Sequence, residues 1–215
     1  MRLYLVRHGE SVSNKAVTQS SPDEQLSEHG QEQARFLANR FSNIKVDAII
    51  SSPYTRTLET AKSISDFKNI PIETNELVRE FRWPTEFKGM SKKDPEVTLI
   101  RKTIEEKWSE DENWRHSDEE TFSEIKGRAV SFLEFVDNIK QHESIVVVSH
   151  ARFLKVLLAV MIHGKEVSGK SAMNILYRIS LINTGITVAE LHEGKWNLVT
   201  VNDHAHLGDY HRQVH

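Results

Sequence analysis

Three short runs of mostly hydrophobic residues stand out along the chain: Leu3–Val6, Asp47–Ile50 and Ser144–Val148. Their hydrophobic residues are consecutive instead of alternating with polar ones. Consecutive hydrophobic residues are typical of strands that are buried on both faces of a parallel sheet. We therefore predict three central strands of a largely parallel sheet.

Hydrophobic residues at steps of three and four positions predict helices between these strands. Ala34, Leu37 and Phe41 share one face of a first predicted helix. A second predicted helix has a longer hydrophobic face, formed by Phe122, Ile125, Ala129, Phe132, Leu133 and Val136. Thr121 and Glu124 have the spacing of a capping box, which predicts where the second helix begins.

Near the C-terminus the pattern predicts two strands, Ser180–Leu191 and Trp196–Val201, joined at residues 193–195 in a hairpin. We find no internal repeat and no linker between compositionally different halves, so residues 1–215 are interpreted as a single domain. Together, the elements predict a mixed α/β sandwich.

The pattern weakens between about residues 81 and 117, where aromatic residues are scattered among charged ones. We interpret this segment as an insertion over one end of the sheet and a candidate lid. The alternative is that its aromatic residues, Trp83, Phe87, Trp108 and Trp114, form a second small core.

Composition excludes several classes of function. The chain has 215 residues with 28 Lys and Arg against 31 Asp and Glu, so no overall positive charge attracts nucleic acid. It has no cysteine, which excludes disulfides, thiolate metal sites and cysteine nucleophiles. The start of the chain has no signal-peptide pattern, and Phe153–Ile162 is too short to cross a bilayer. We expect a cytoplasmic protein without nucleic-acid or membrane partners.

Polar residues follow each of the three predicted strands: Arg7-His8-Gly9-Glu10, Ser51-Ser52-Pro53-Tyr54-Thr55-Arg56 and Ser149-His150-Ala151-Arg152. The carboxyl ends of parallel strands lie at one edge of a sheet, so these residues are expected to converge. Ser52 before Pro53 predicts a helix start that places Arg56 in the first turns. Ala151 is expected to begin another helix, whose free N–H groups would face the same crevice.

These side chains suit a phosphoryl group. Arg7 and Arg56 match the oxygens of a dianion, and their charges favour a neutral, nucleophilic His8. His150, if protonated, would stabilise the charge of the transition state. Glu80 is the best-placed acidic residue by sequence context to protonate the leaving oxygen, although spacing alone does not single it out among the many acidic residues.

Other residues have simpler interpretations. Gly9 is a turn residue, and His163-Gly164 is an ordinary helix end. Four histidines near the C-terminus (His204, His206, His211 and His215) are interpreted as a solvated tail and not as a metal site. No glycine-rich nucleotide-binding motif is present.

Three motifs carry a resemblance to a known family: Arg7-His8-Gly9-Glu10-Ser11 with Asn14, Ser51-Ser52-Pro53 with Arg56 and Thr60-Ala61, and Val148-Ser149-His150. In this order they closely resemble the histidine phosphatase superfamily, also called the phosphoglycerate-mutase-like family. The resemblance covers nearly the whole chain and implies a three-layer α/β/α sandwich that uses no metal and no other cofactor.

The resemblance also implies roles for individual residues. His8 would be the phosphorylated nucleophile, Arg7, Arg56 and His150 the phosphate pocket, Asn14 a further hydrogen-bond partner and Glu80 the proton donor. Ala151 stands where many relatives have glycine, and its backbone N–H is still expected to face the substrate. The segment after Glu80 departs from the usual family pattern.

We predict a metal-independent phosphomonoester hydrolase that acts through a phosphohistidine on a small molecule or on a phosphorylated protein side chain. The alternatives are a phosphoglycerate-type mutase and a non-catalytic phosphate-binding protein. A mutase needs further fixed cations in the lid, whereas Glu105–Glu112 has Lys107 as its only cation. Four aromatic residues within residues 81–117, Trp83, Phe87, Trp108 and Trp114, suggest an apolar or aromatic leaving group. The oligomeric state is not predicted.

Overall fold

The computed structural model describes residues 1–139 and 141–213, with side chains for residues 1–139 and 141–209. The side chains of His211 and His215 therefore lie outside the described residues. The described residues form six strands: β1 (Arg2–Arg7), β2 (Ala48–Ser51), β3 (Ile72–Thr74), β4 (Ser144–Ser149), β5 (Ile186–His192) and β6 (Lys195–Asp203). The α-helices are α1 (Val12–Ala16), α2 (Glu28–Arg40), α3 (Thr55–Lys68), α4 (Pro95–Trp108), α5 (Phe122–Asn138), α6 (Ala151–His163) and α7 (Gly169–Arg178). Short 3₁₀ segments lie at Glu76–Val78, Thr85–Phe87 and Ala205–Gln213.

The six strands form one sheet in the order β3-β2-β4-β1-β5-β6. Strands β1 to β4 pair in parallel, while β5 pairs antiparallel to β1 and β6 antiparallel to β5. The three predicted central strands are confirmed, and they lie side by side as β2, β4 and β1. Strand β3 was not predicted from the sequence.

Both faces of the sheet are covered, as the continuous hydrophobic runs predicted. Along β1, Leu3 and Leu5 belong to one hydrophobic core with α4, α5, α6 and α7, whereas Tyr4 and Val6 belong to a second core with α2 and α3. The fold is therefore a three-layer α/β/α sandwich. Helix α5 begins at the predicted capping box of Thr121 and Glu124, and α6 begins at Ala151 and ends at His163 before Gly164.

The first strand of the C-terminal hairpin is shorter than predicted. Residues 180–185 form no strand, and β5 begins at Ile186. Thr184 has a φ of 56°, which a strand does not tolerate, and its N–H donates to the carbonyl of Arg7 at 2.9 Å. Asn183 donates its side-chain amide to the carbonyl of His8 at 2.9 Å. This segment is therefore a loop that supports the end of β1.

Residues 81–117 form the 3₁₀ segment at 85–87 and helix α4, joined by irregular segments. Phe87 and Trp108 are buried, but Trp108 belongs to the same hydrophobic core as Leu3 and Leu5 and not to a second small core. The Trp108 and Phe122 ring centroids lie 5.8 Å apart. Trp83 instead lines a cavity. That this segment acts as a lid, and that the chain folds as one domain, stay predictions. In the described part of the chain, no helix has the length and apolar character needed to span a bilayer.

Candidate active site

A cavity of about 720 Å³ lies beside the carboxyl ends of β1, β2 and β4. Its lining includes six of the seven residues that the sequence assigned to a site: Arg7, His8, Asn14, Arg56, Glu80 and Ala151. The seventh, His150, is fully buried behind this lining, and its ring centroid lies 5.2 Å from that of His8. The structure thus brings the predicted residues together, with His150 one layer deeper than expected.

His8 is held in one orientation at the end of β1. Its Nδ1 lies 2.7 Å from the carbonyl oxygen of Gly9, and its Nε2 lies 3.3 Å from Nε of Arg56. A carbonyl oxygen accepts and a guanidinium donates, so the proton is assigned to Nδ1 and the lone pair to Nε2. Burial and the charges of Arg56 and Arg7 lower the pKa of His8 well below 6.5. The imidazole is therefore neutral at neutral pH.

The sequence predicted Gly9 to be a turn residue. In the structure, Gly9 is instead needed for a close approach of two backbone segments. A Cβ atom at Gly9 would lie 2.7 Å from the carbonyl oxygen of Gly30, and a Cβ atom at Gly30 would lie 2.0 Å from that of Glu10. Ser27, the N-cap of α2, donates to the carboxylate of Glu10 at 2.6 Å. The start of α2 therefore fixes the loop that carries His8.

Arg56 lies in the first turn of α3, although the helix begins later than predicted. The N-cap is Tyr54 and not Ser52. The Ser52 hydroxyl accepts the N–H of Tyr54 at 3.4 Å and lies 2.8 Å from Nε2 of His150. The Arg56 guanidinium donates to the Ser21 carbonyl at 2.8 Å and also lies 3.1 Å from Nδ1 of His150. Arg56 thus contacts both histidines at once.

His150 is neutral in this arrangement. Its Nδ1 accepts from Arg56, so its proton is assigned to Nε2, which donates to Ser52. Burial, the charge of Arg56 and the interaction with His8 lower the pKa of His150 well below 6.5. The sequence analysis considered a protonated His150, whereas this geometry favours the neutral form. The Tyr54 ring packs edge-on against it, with ring centroids 5.1 Å apart.

Arg7 and Asn14 also line the cavity, and the side-chain oxygen of Asn14 accepts from the N–H of Ser11 at 3.3 Å and from the amide of Asn183 at 3.5 Å. Burial is the main reason why the pKa of Arg7 is lowered to about 10. The charge of Arg56 also lowers this pKa, whereas the charge of Glu80 raises it. Arg7 therefore stays positively charged at neutral pH. Its Nη1 donates to the Leu181 carbonyl at 2.6 Å, while its buried Nε has no hydrogen-bond partner in the described part of the chain.

Glu80 lies at the N-terminus of α6. Its carboxylate accepts the N–H groups of Phe81 at 2.9 Å, Phe153 at 3.1 Å and Arg152 at 3.4 Å. The expectation that the first N–H groups of α6 are free to face the crevice is therefore wrong for residues 152 and 153. The N–H of Ala151 has no hydrogen-bond partner among the residues that the structure describes.

The cavity is strongly basic, contrary to the acidic lid that we expected from the sequence. Its lining contains eight Lys and Arg residues but only three carboxylates, namely Asp23, Glu80 and Glu105. Besides Arg7 and Arg56, the cations are Arg82, Lys88, Lys92, Arg101, Arg152 and Lys155. The acidic stretch Glu105–Glu112 contributes only Glu105. Of these six cations, only Arg152 was expected at this edge of the sheet from the sequence. Arg82, Lys88 and Lys92 lie in the irregular segments before α4, and nothing local shows that Arg101 on α4 and Lys155 on α6 face the cavity.

Among the described residues, no group of three or more His, Cys, Asp or Glu could hold a metal ion. His204 and His206 have other partners: Nδ1 of His204 lies 2.8 Å from the carbonyl of Asn202, and Nε2 of His206 lies 3.2 Å from the Thr184 hydroxyl. Burial lowers the pKa of His206 to about 4. His206 is thus part of the structured chain and not of a solvated tail.

Comparisons with known proteins agree with this geometry. A family model described as Histidine phosphatase superfamily (branch 1) matches residues 3–204. Phosphoserine phosphatase 1 of Hydrogenobacter thermophilus is 29% identical over 224 aligned positions, covering 100% of this chain and 98% of that protein.

Two solved structures show the same fold. YhfR of Bacillus stearothermophilus superposes with a TM-score of 0.80 and 24% identity, covering 96% of this chain and 98% of that one. Phosphoserine phosphatase of Entamoeba histolytica, in complex with 3-phosphoglyceric acid, superposes with a TM-score of 0.79 and 24% identity, over the same shares of each chain.

Proposed function

The chain belongs to the histidine phosphatase superfamily, branch 1, and on this basis we propose that it hydrolyses phosphomonoesters through a phosphohistidine formed on His8. One observation carries the proposal. His8 is a neutral imidazole whose Nε2 lone pair lies at the cavity wall, 3.3 Å from the Arg56 guanidinium. A neutral nucleophile beside a fixed cation is what transfer of a phosphoryl dianion requires.

In the first step, the phosphate binds between the guanidinium groups of Arg7 and Arg56, which neutralise its charge. The Nε2 lone pair forms a bond to phosphorus as the bond from phosphorus to the ester oxygen breaks. That oxygen takes a proton from the Glu80 carboxylic acid and leaves as an alcohol. His150 keeps Arg56 in place through its Nδ1.

In the second step, water attacks the phosphorus while Glu80, now a carboxylate, accepts a proton from that water. The bond from Nε2 to phosphorus breaks, inorganic phosphate forms, and His8 returns to its neutral state. The positive charge comes from arginine side chains at each stage, so the proposed mechanism needs no metal.

The test is hydrolysis of p-nitrophenyl phosphate by the full chain in the presence of a chelator. We expect turnover, and an acid-labile, alkali-stable phosphoryl adduct on the peptide that contains His8 after rapid quenching. His8→Ala should abolish both, whereas His163→Ala, which removes an exposed histidine at the end of α6, should retain both. Undiminished hydrolysis by His8→Ala would overturn the mechanism. Tight phosphate binding without turnover of any ester would favour the non-catalytic alternative.

The role of Glu80 has its own test. Glu80→Gln should slow the hydrolysis of alkyl phosphates by about 10²-fold or more, because an alkoxide needs a proton in order to leave. The same variant should affect p-nitrophenyl phosphate much less, since p-nitrophenolate leaves without a proton. Equal losses on both substrates would remove Glu80 from the proton-transfer role.

The basic cavity favours a phosphoglycerate-type mutase as a second candidate. A mutase must retain an acidic substrate while the phosphoryl group is on His8, and six cations beyond Arg7 and Arg56 line the cavity. The rates of isomerisation and dephosphorylation of 3-phosphoglycerate distinguish the two functions. We expect dephosphorylation to be faster, and faster isomerisation would favour the mutase.

A further inference from the structure

We infer that Gln33, on α2, is a positioning residue for the nucleophile. Its side-chain oxygen holds the peptide group between Gly9 and Glu10, and the carbonyl of that group in turn holds the His8 ring. Gln33 therefore keeps the ring proton on Nδ1 and the reactive lone pair on Nε2. This inference rests on the proposed function, because it takes Nε2 of His8 as the attacking atom.

Gln33 is an unusual residue for its position in the helix. It is 4% exposed, and the other buried residues of α2 are glycine, alanine and leucine, at positions 30, 34, 37 and 38. An apolar side chain of similar size would be less costly to bury there. A buried amide is normally hydrogen-bonded, and the partner of this one is the loop that carries His8.

The hydrogen bonds on both sides of the loop run through one peptide group. The Glu10 N–H donates to Oε1 of Gln33 at 2.8 Å. The Gly9 carbonyl accepts from Nδ1 of His8 at 2.7 Å. In a trans peptide group the N–H and the carbonyl point in opposite directions, so an acceptor that fixes the N–H also fixes the direction of the carbonyl. Such a hydrogen bond also makes the carbonyl a stronger acceptor.

Other contacts of this loop hold different groups. Ser27 donates its hydroxyl to the Glu10 carboxylate at 2.6 Å and its N–H to the Glu10 carbonyl at 2.8 Å. Thr60 accepts the Gly9 N–H at 3.0 Å. The Glu10 carbonyl and the Gly9 N–H belong to the two neighbouring peptide groups. Glu10 is 4% exposed, so water does not readily take the place of Gln33 on its N–H.

The position of the ring proton matters most when substrate is bound. In the structure, the Arg56 guanidinium donates to Nε2 of His8 and thereby also favours a proton on Nδ1. In the proposed mechanism Arg56 binds the phosphate, whose oxygens accept hydrogen bonds and would draw the ring proton to Nε2. An imidazole protonated at Nε2 has no lone pair there for attack. The Gly9 carbonyl, held by Gln33, opposes this shift.

The protonation of the His8 ring can be measured by ¹⁵N NMR on the full chain, without and with saturating inorganic phosphate. Long-range proton–nitrogen correlation distinguishes a protonated from an unprotonated ring nitrogen, and comparison with His8→Ala identifies the His8 signals. We expect Nδ1 of wild-type His8 to stay protonated when phosphate is bound. Gln33→Met keeps the length of the side chain but removes the acceptor oxygen, so a measurable fraction of Nδ1 should then be unprotonated.

The rate of phosphohistidine formation from p-nitrophenyl phosphate should fall about three- to tenfold in Gln33→Met, the factor that one hydrogen bond contributes to an equilibrium. The inhibition constant of inorganic phosphate should stay within about twofold, because Arg7 and Arg56 are unchanged. Asp47→Leu is the control. Asp47 also accepts backbone N–H groups, those of Glu143 and Ser144 at 2.9 Å, but at the opposite end of the sheet. Its replacement should lower stability and leave the ring protonation and the rate unchanged.

Equal protonation of Nδ1 in Gln33→Met and wild type would overturn the inference, as would a proton on Nε2 in the wild type. A slower reaction with unchanged ring protonation would also overturn it, since Gln33 would then only stabilise the loop. Gln33→Asn, which draws the amide back by one carbon, should cause smaller changes in the same direction and replaces Gln33→Met if that variant does not fold. Hydrolysis that persists in His8→Ala would instead count against the proposed function, whatever the protonation of the ring.

Discussion

Replacement of Glu120 by glutamine tests whether a buried ion-pair network stabilises the segment that precedes Glu80. The Glu120 side chain is 3% exposed and accepts from Arg128 at 2.6 and 2.9 Å and from Arg79 at 3.2 and 3.3 Å. Arg128 also donates to the carbonyls of Leu77 and Arg79, at 2.6 and 3.0 Å. The network therefore ties the start of α5 to the segment that precedes Glu80.

The expected loss of stability follows from burial. Glu120→Gln keeps the volume but leaves two guanidinium groups without their counter-charge, and removing one partner of a buried ion pair costs about 3–5 kcal/mol. The side chains of Arg128 and Arg79 are 12% and 24% exposed, so water compensates part of the loss. We expect a decrease of about 3 kcal/mol in the free energy of unfolding, which for a chain of this length lowers the melting temperature by about 6–12 °C.

Urea unfolding followed by circular dichroism measures this loss. Glu134→Gln, an exposed position on the same helix, is the control and should change stability by less than about 0.5 kcal/mol. Although burial raises the pKa of Glu120, the hydrogen bonds and charges of Arg128 and the charge of Arg79 lower it below the usual value. The difference between wild type and Glu120→Gln should thus be complete at pH 7 and shrink below about pH 4. Equal unfolding midpoints for Glu120→Gln and wild type at pH 7 would refute this reasoning.

Three further predictions follow from the site. Gly30→Ala should destabilise the protein and lower its activity, because the added Cβ atom would lie 2.0 Å from the carbonyl oxygen of Glu10. Gly127→Ala is the control, since a Cβ atom at that position on α5 would have free space around it. Thermal unfolding compares the two variants with wild type. Because burial, Arg56 and Arg7 lower the pKa of His8, the pH profile of kcat/KM, corrected for ionisation of the substrate, should show no loss of activity as the pH falls through 6.5. An acid limb at that pH would contradict the neutral imidazole. Tyr54→Leu should reduce kcat/KM about tenfold, because it removes the ring that packs against His150. Tyr54→Phe keeps the ring and should stay within about twofold of wild type in the same steady-state assay. Equal effects of the two substitutions would show that the ring does not have this role.

The central strands and the residues that follow them could be predicted because their signals are local. Each strand is a continuous hydrophobic run, and parallel strands bring their carboxyl ends together whatever the details of the connections. This reasoning placed His8 near Arg56. Glu80 was one candidate among many acidic residues until the resemblance to the family gave it the role of proton donor.

Other features depend on contacts between distant segments. Strand β3 has only three residues, two of them exposed, so no hydrophobic periodicity marks it. Residues 180–185 directly precede the hydrophobic residues of β5 and were predicted to extend that strand, but their contacts with the end of β1 hold them as a loop. The orientation of Arg101 towards the cavity depends on how α4 packs, which the sequence of the helix does not reveal.

The hydrogen bond from Arg56 to Nε2 of His8 bears on the selectivity of the nucleophile. In the proposed mechanism, the lone pair that attacks phosphorus is the same one that accepts this hydrogen bond, so an uncharged electrophile meets a nitrogen whose electrons are already engaged. An incoming dianion offers the guanidinium a stronger acceptor and draws it away. The same arginine would therefore shield the imidazole from alkylating or acylating agents and release it to a phosphate ester.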